Sequence, residues 1–307
     1  MTAKTLDLLC IGNPCADVVI RCDRLPAWDD KCAGAALGTY AGGTESNVAC
    51  AASRLGWSTA VLGEVGDDAH GRFLLDAFVA DKVSTRWVAQ RAQCASASTV
   101  LMVSPEGERA IIWVPMPPAA WPPARMDEAL ALSRWAYTMP YDAAMLAMLY
   151  AATQRRGAEL AIDVEREAAR QTGHFAQLLA HCDVAFMNES GYTAALGRVP
   201  DEAGLRALWA QGQAHTIVVT LGARGAAYFY AREMSEPLVV AAPTVRAVDT
   251  TGAGDAFVGT FAVALSRGDD VASAMRRAIA VASDSVTRSG TTESYPGGDV
   301  LAKLLGD

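Results

Sequence analysis

Ala247-Val248-Asp249-Thr250-Thr251-Gly252-Ala253-Gly254-Asp255-Ala256-Phe257 is the stretch on which the reading of this chain turns. A strand-like run, Val245–Val248, precedes it, and a helical run, Ala256–Ser266, follows it. Gly252, Ala253 and Gly254 therefore fall at a helix N-terminus, where the first backbone N–H groups have no partner inside the helix. With the helix dipole these groups form an anion site, and the glycines let a phosphate approach the backbone closely. Asp255 is the first acidic residue of that helix. An Asp in such a place often does no more than cap the helix. Beside a phosphate cradle it can also accept the proton of an attacking hydroxyl, the general-base role in phosphoryl transfer.

Working outward, the rhythm is a short apolar run, a turn and a helical segment. Strands are predicted at Leu6–Gly12, Thr59–Val65, Trp135–Met139, Glu159–Asp163, Val184–Asn188 and Thr216–Leu221. Amphipathic stretches lie between them: Asn47–Leu55, Arg72–Ala80, Ala143–Arg156 and Glu202–Gln211. Alternating strands and helices predict an α/β fold with a mostly parallel sheet covered on both faces. In such a sheet, ligands bind outside the carboxyl ends of the strands. Two regions, Val18–Tyr40 and Ser96–Val114, read as strand–turn–strand with no helix. In the second, Ser98–Ser104 and Arg109–Val114 flank the turn signal Pro105-Glu106-Gly107. They predict a small accessory sheet, rejoined to the main body by the Pro-rich stretch Pro115–Pro123.

The 307 residues carry 26 basic and 34 acidic side chains, a net charge of −8. No basic stripe is visible, so neither a nucleic-acid nor a membrane-surface partner is expected. No run approaches the ~20 apolar residues of a membrane span, and Met1–Cys10 is too short an apolar stretch for a secretory signal. The seven cysteines are odd in number and form no C-x-x-C pair, which fits reduced thiols in a cytoplasmic protein. A P-loop string is absent, and Gly12-Asn13-Pro14-Cys15 does not match a dinucleotide fingerprint.

Asp249–Asp255, D-T-T-G-A-G-D, resembles the carboxyl-terminal signature of the ribokinase-like (PfkB) carbohydrate kinase family. Gly42-Gly43-Thr44-Glu45-Ser46-Asn47-Val48-Ala49, running on to Arg54-Leu55-Gly56, resembles its amino-terminal signature. Gly63-Glu64-Val65-Gly66-Asp67-Asp68, Thr220-Leu221-Gly222-Ala223-Arg224-Gly225 and Val286-Thr287-Arg288-Ser289-Gly290 continue the family pattern in order along nearly the whole chain. The resemblance implies a Rossmann-like three-layer α/β/α main domain with a small β-sheet lid, in segments about 13–41 and 96–115 of one 1–307 unit. It also implies ATP-dependent phosphorylation of a sugar hydroxyl with Mg2+ assistance, and makes a homodimer through the lid an expectation.

The resemblance assigns roles residue by residue. Asp255 matches the catalytic base, and Gly252, Ala253 and Gly254 the backbone anion hole. Asp17, Gly42, Gly43 and Asn47 match the sugar site; a carboxylate such as Asp17 accepts hydrogen bonds from two neighbouring hydroxyls. Asn188, Thr220, Gly222 and Gly225 match the nucleotide side. The family's Glu three positions after Asn188 is Gly191 here, which leaves Glu189 as the carboxylate for the metal. Asp249 and the Val286–Tyr295 loop resemble a monovalent-cation site, for an ion such as K+. Thr44, where ribokinases carry Lys, and Cys15, where they carry Asn, count against ribose and leave the sugar open, with ketoses ahead. Lys31 and Arg109 stand either as holders of an anionic substituent or as solvated charges. Two other readings of the same fold are a nucleoside kinase and a non-catalytic sugar- or nucleotide-binding regulator.

Overall fold

A computed structural model describes residues 4–306, apart from 107, 118–121, 172, 212–213, 215, 223–225 and 232–235. Its strands are β1 (Leu6–Ile11), β2 (Cys15–Cys22), β3 (Gly34–Gly42), β4 (Thr59–Gly66), β5 (Ser84–Arg91), β6 (Ala97–Val103), β7 (Arg109–Val114), β8 (Ser133–Thr138), β9 (Glu159–Asp163), β10 (Val184–Asn188), β11 (Thr216–Thr220), β12 (Ala226–Ala231) and β13 (Leu238–Ala241). Among the described residues, nine of these strands form the main sheet in the order β13-β12-β11-β10-β9-β8-β1-β4-β5. From β11 to β5 all neighbours are parallel, and β12 and β13 add antiparallel strands at one edge.

Side-chain alternation explains the two helical layers. Leu8 and Cys10 of β1 point into one core, and Leu9 and Ile11 into the other. The first core is closed by α1 (Thr44–Arg54), α2 (Ala69–Ala80), α9 (Ala253–Ser266), α10 (Val271–Ser285) and α11 (Gly298–Leu305). Helices α3 (Pro123–Leu132), α4 (Ala143–Arg156), α5 (Arg166–Ala169), α6 (His174–Ala180), α7 (Glu189–Leu196) and α8 (Glu202–Gln211) lie on the other side. Side-chain N-caps start several of them: Asp68 for α2, Asp142 for α4, Asn188 for α7 and Asp270 for α10.

The two regions without helices pair with each other. They form a separate mixed sheet in the order β3-β2-β6-β7, with β2 and β6 parallel. The strands expected on the main sheet are all present, to within two residues at each end. The run Val245–Val248 is not a strand; residues 242–248 are an irregular approach to α9. Strands β5, β12 and β13 went unanticipated. The first, Ser84-Thr85-Arg86-Trp87-Val88-Ala89-Gln90-Arg91, is an edge strand that buries Trp87 and leaves polar residues outside, so it lacks the apolar run of a central strand.

One contact positions the site. A Cβ on Gly259 of α9 would lie 2.9 Å from the Ala51 Cβ and 3.1 Å from the Val48 carbonyl of α1. Small residues at this crossing let the two helices approach closely, and that brings Asn47 of α1 against Asp255 of α9.

Candidate active site

Gly252 is the N-cap of α9 and sits at φ 74°, the left-handed region that favours glycine. A Cβ there would fall 2.6 Å from the Thr291 Cγ2 and 2.7 Å from the Tyr295 hydroxyl. That hydroxyl donates to the Gly252 carbonyl at 2.9 Å and holds the turn. Space in front of Gly254 is open: a Cβ there would meet nothing within 4 Å. The first turn of α9 is thus open at Gly254, with Asp255 beside it, while the Ala253 N–H donates to the Thr250 carbonyl at 3.4 Å. Asn47 Nδ2 donates to Asp255 Oδ2 at 2.7 Å. Burial pushes the Asp255 carboxyl up to about 7; the Asn47 hydrogen bond works against this, and the charge of Glu45 adds to it.

The small sheet contributes the opposite wall. Asp17 lies on β2 and accepts from Thr99 Oγ1 on β6 at 2.5 Å. A Cβ on Gly42 would sit 2.1 Å from Asp17 Oδ2, so this carboxylate occupies the space that a side chain at position 42 would need. Gly43, at φ 97°, caps α1, and a Cβ there would come 3.1 Å from the Asn13 carbonyl. Burial raises Asp17, and the Thr99 hydrogen bond partly offsets it. Glu45, two residues before Asn47, is buried, and its Oε1 accepts from Met139 N at 3.0 Å after β8. Burial pushes its carboxyl up to about 7.

Residues 5–297 match the pfkB family carbohydrate kinase domain. The chain belongs to that family. Ribokinase from Arabidopsis thaliana is 28% identical over 312 residues, covering 97% of this chain and 80% of that protein. Deoxyribokinase from Salmonella typhi is 27% identical over 301 residues, covering 95% and 96%. The structure of the Arabidopsis thaliana ribokinase complexed with ribose and ATP superposes with a TM-score of 0.86 over 98% of this chain and 99% of that one, at 24% identity.

On the nucleotide side expected of a pfkB carbohydrate kinase, Asn188 and Thr220 stand opposite each other at the carboxyl ends of β10 and β11. The Asn188 side chain caps α7 by accepting from Gly191 N at 2.8 Å, so one of its polar atoms serves the helix. Gly222 adopts φ 54° just beyond β11, while Gly225, with Ala223 and Arg224, lies outside the described residues. Gly191 cannot be the family's Glu here: a Cβ would lie 2.5 Å from the Val164 carbonyl. The next residue along that segment is Glu165, and the charges of Asp163 and Glu165 reach one another and Asp255. Burial, then these charges, pushes Asp163 well above the usual carboxylate range. Glu189 sits in the first turn of α7.

Asp249 organises its own loop. Its Oδ1 accepts from Thr251 N at 3.0 Å and Thr251 Oγ1 at 2.7 Å, and its Oδ2 accepts from Gly290 N at 3.2 Å. Burial acts to raise its carboxyl, and these hydrogen bonds outweigh it and leave the group below its ordinary value. Arg109, from β7 of the small sheet, reaches Thr251 Oγ1 at 2.7 Å and Thr250 Oγ1 at 2.8 Å. Its side chain stays 34% exposed, and its register through Val103 and Arg21 puts it on the same face of the small sheet as Asp17. Lys31 is exposed beside the Arg24–Asp30 ion pair. Ser96 is structural: its hydroxyl accepts from Gly66 N and donates to Asp68.

Sequence reasoning missed Glu45, Asp163 and Glu165. Asp163 was within reach, because it ends a predicted strand on the ligand-binding side of the sheet. Glu45 gave no signal beyond its place between Gly43 and Asn47.

Proposed function

We propose that this carbohydrate kinase transfers the γ-phosphoryl group of ATP to a sugar hydroxyl, with Asp255 as general base. The observation that carries the reading is Asp255, held by Asn47, beside the open first turn of α9. In the reaction an Asp255 oxygen takes the hydroxyl proton while the sugar oxygen attacks the γ-phosphorus. The bond from that phosphorus to the bridging oxygen breaks, and ADP leaves. The backbone N–H of Gly254, and that of Ala253 once it turns from the Thr250 carbonyl, meet the charge that develops on the transferring group. Asp17 orients the sugar through adjacent hydroxyls. Asn47 Oδ1 is buried with no protein partner and offers a further acceptor. Asn188, Thr220 and Gly222 would flank the nucleotide. The charges of Asp17, Glu45, Asp163 and Glu165, all felt at Asp255 or at one another, favour a sugar rich in hydroxyl donors over a sugar acid.

No cluster of three or more metal-ligating side chains occurs among the described residues. That fits Mg2+, which keeps waters and phosphate oxygens and needs only one or two carboxylates; Glu189, Asp163 and Glu165 are the candidates. Mg2+ would neutralise charge on the phosphates. A monovalent cation such as K+ would bind at Asp249 and the Val286–Tyr295 loop, mainly through main-chain carbonyls. The sheet β3-β2-β6-β7 acts as a lid, and its exposed Leu37, Ile112 and Val114 form the surface for a homodimer. Among the described residues no helix is long and apolar enough to cross a membrane; with free cysteines throughout, the cytoplasm is the expected compartment. A thermal-shift screen of sugars and nucleosides, with an ATP analogue and Mg2+, tests the reading. The substrate sugar raises Tm by mass action; stabilisation by nucleosides alone would overturn it.

A further inference from the structure

We infer that Arg109 is a positioning residue: it latches strand β7 of the lid to the phosphoryl-transfer loop, so that the loop is set for catalysis only when the lid is seated. The inference rests on the kinase reading above. Arg109, Ile111 and Trp113 alternate along β7 and so share one face of the strand. Both ends of that face touch the main body. Trp113 stacks on Tyr141, beyond β8, with ring centroids 5.9 Å apart and 27° between planes. Arg109 places its two terminal nitrogens on two different hydroxyls, Thr251 at 2.7 Å and Thr250 at 2.8 Å. The planar guanidinium holds its donors in a fixed fork, so this pairing sets orientation as well as distance.

The latch continues into the loop. Thr251 Oγ1 accepts from Arg109 and donates to Asp249 Oδ1 at 2.7 Å, and Asp249 Oδ2 accepts from Gly290 N. One chain of hydrogen bonds thus joins the lid, the turn that precedes α9 and the 286–290 segment. Arg109 Nη1 also lies 3.7 Å from Asp249 Oδ1. The Asp249 carboxylate offsets the repulsion between this guanidinium and the positive end of the helix dipole. The guanidinium and the dipole together attract an anion to the first turn of α9. The transferring phosphoryl group and the seated latch therefore stabilise each other. With the latch open, water reaches the γ-phosphorus and ATP hydrolyses to ADP and phosphate without sugar phosphorylation.

The experiment uses the full chain with Arg109→Ala, Arg109→Lys, Thr250→Val and the Arg109→Ala/Thr250→Val double variant. Arg109→Ala is expected to lower kcat by about tenfold or more, the low end for hydrogen bonds to a charged group, with KM for ATP nearly unchanged. It also raises the ATP hydrolysed per sugar phosphorylated. Lys restores only part of kcat, because a point charge cannot form the fork. The double variant is no slower than Arg109→Ala alone, as coupled partners require. Changes in kcat under about twofold, or additive losses in the double variant, would overturn the latch. So would a loss confined to KM for the sugar, which would mean that Arg109 holds substrate instead. Hydrogen exchange separates this from the kinase reading. Faster exchange of residues 109–114 and 249–255 in Arg109→Ala supports the latch even if no sugar is phosphorylated, and unchanged exchange overturns the latch even if the enzyme is a sugar kinase.

Discussion

Asp255→Asn is expected to make the protein more stable while nearly abolishing turnover. The Asn side chain keeps an oxygen that accepts from Asn47 Nδ2, so the 2.7 Å hydrogen bond survives. What disappears is a charge that burial disfavours. The Asp255 carboxyl moves from its ordinary 3.8 to about 7, which at about 1.4 kcal/mol per pH unit amounts to ~4 kcal/mol at most. Partial contact with water reduces this to ~2 kcal/mol as a working figure. The sign follows from proton binding. Between about pH 4 and pH 7 the unfolded chain releases this proton while the folded chain keeps it, so wild-type stability falls as pH rises through that window. The gain of Asp255→Asn should therefore be complete at pH 8 and absent at pH 4. Urea unfolding at both pH values, with kcat measured alongside, is the assay. Loss of a general base costs ~10²–10⁴-fold in rate. In the wild type, kcat/KM should fall about tenfold per pH unit below about 7 as the base takes up its proton. A variant that is destabilised at pH 8, or that keeps more than about a tenth of kcat, would refute the reasoning.

Asp17→Ala should weaken sugar binding about tenfold or more, since hydrogen bonds to a charged group contribute ~1.5–3 kcal/mol each, with ATP affinity unchanged; calorimetric titration showing an unaltered sugar Kd would remove Asp17 from the site. Gly252→Ala should cost at least ~1–2 kcal/mol from its left-handed backbone alone, and more because its Cβ meets Thr291 and Tyr295; unfolding midpoints equal to wild type would show that the turn is not held as described. Light scattering at micromolar concentration should give twice the 32.3 kDa chain mass, and Ile112→Asp on the exposed lid strand should give the monomer; a monomeric wild type would discard lid-to-lid pairing.

The main sheet was legible because its central strands are buried on both faces and read as apolar runs, as Ile217-Val218-Val219 shows. The small sheet was legible for the opposite reason: two regions kept strand patterning with no helical period between them. Edge strands escaped notice because only one side of β5 is covered. The Gly252–Asp255 turn could be read from local chemistry, since glycines at a helix N-terminus are visible within a few residues of sequence. Contacts between distant segments could not. The pairing of Asn47 with Asp255 depends on how closely α1 and α9 cross, and the reach of Arg109 to Thr250 depends on where β7 lies across the cleft. Gly191 carried a message in sequence, a missing carboxylate; that a Cβ there would stand 2.5 Å from the Val164 carbonyl is visible only in three dimensions.

The most direct test of sugar phosphorylation by Asp255 is transfer of labelled γ-phosphate from ATP, with Mg2+, to a panel of neutral sugars and nucleosides by the wild type and by Asp255→Asn. The expected result is a sugar-dependent product, a stoichiometric sugar phosphate, that falls by ~10²-fold or more in the variant. Label appearing only on nucleosides, or a sugar phosphate formed equally well without the Asp255 carboxylate, would contradict it.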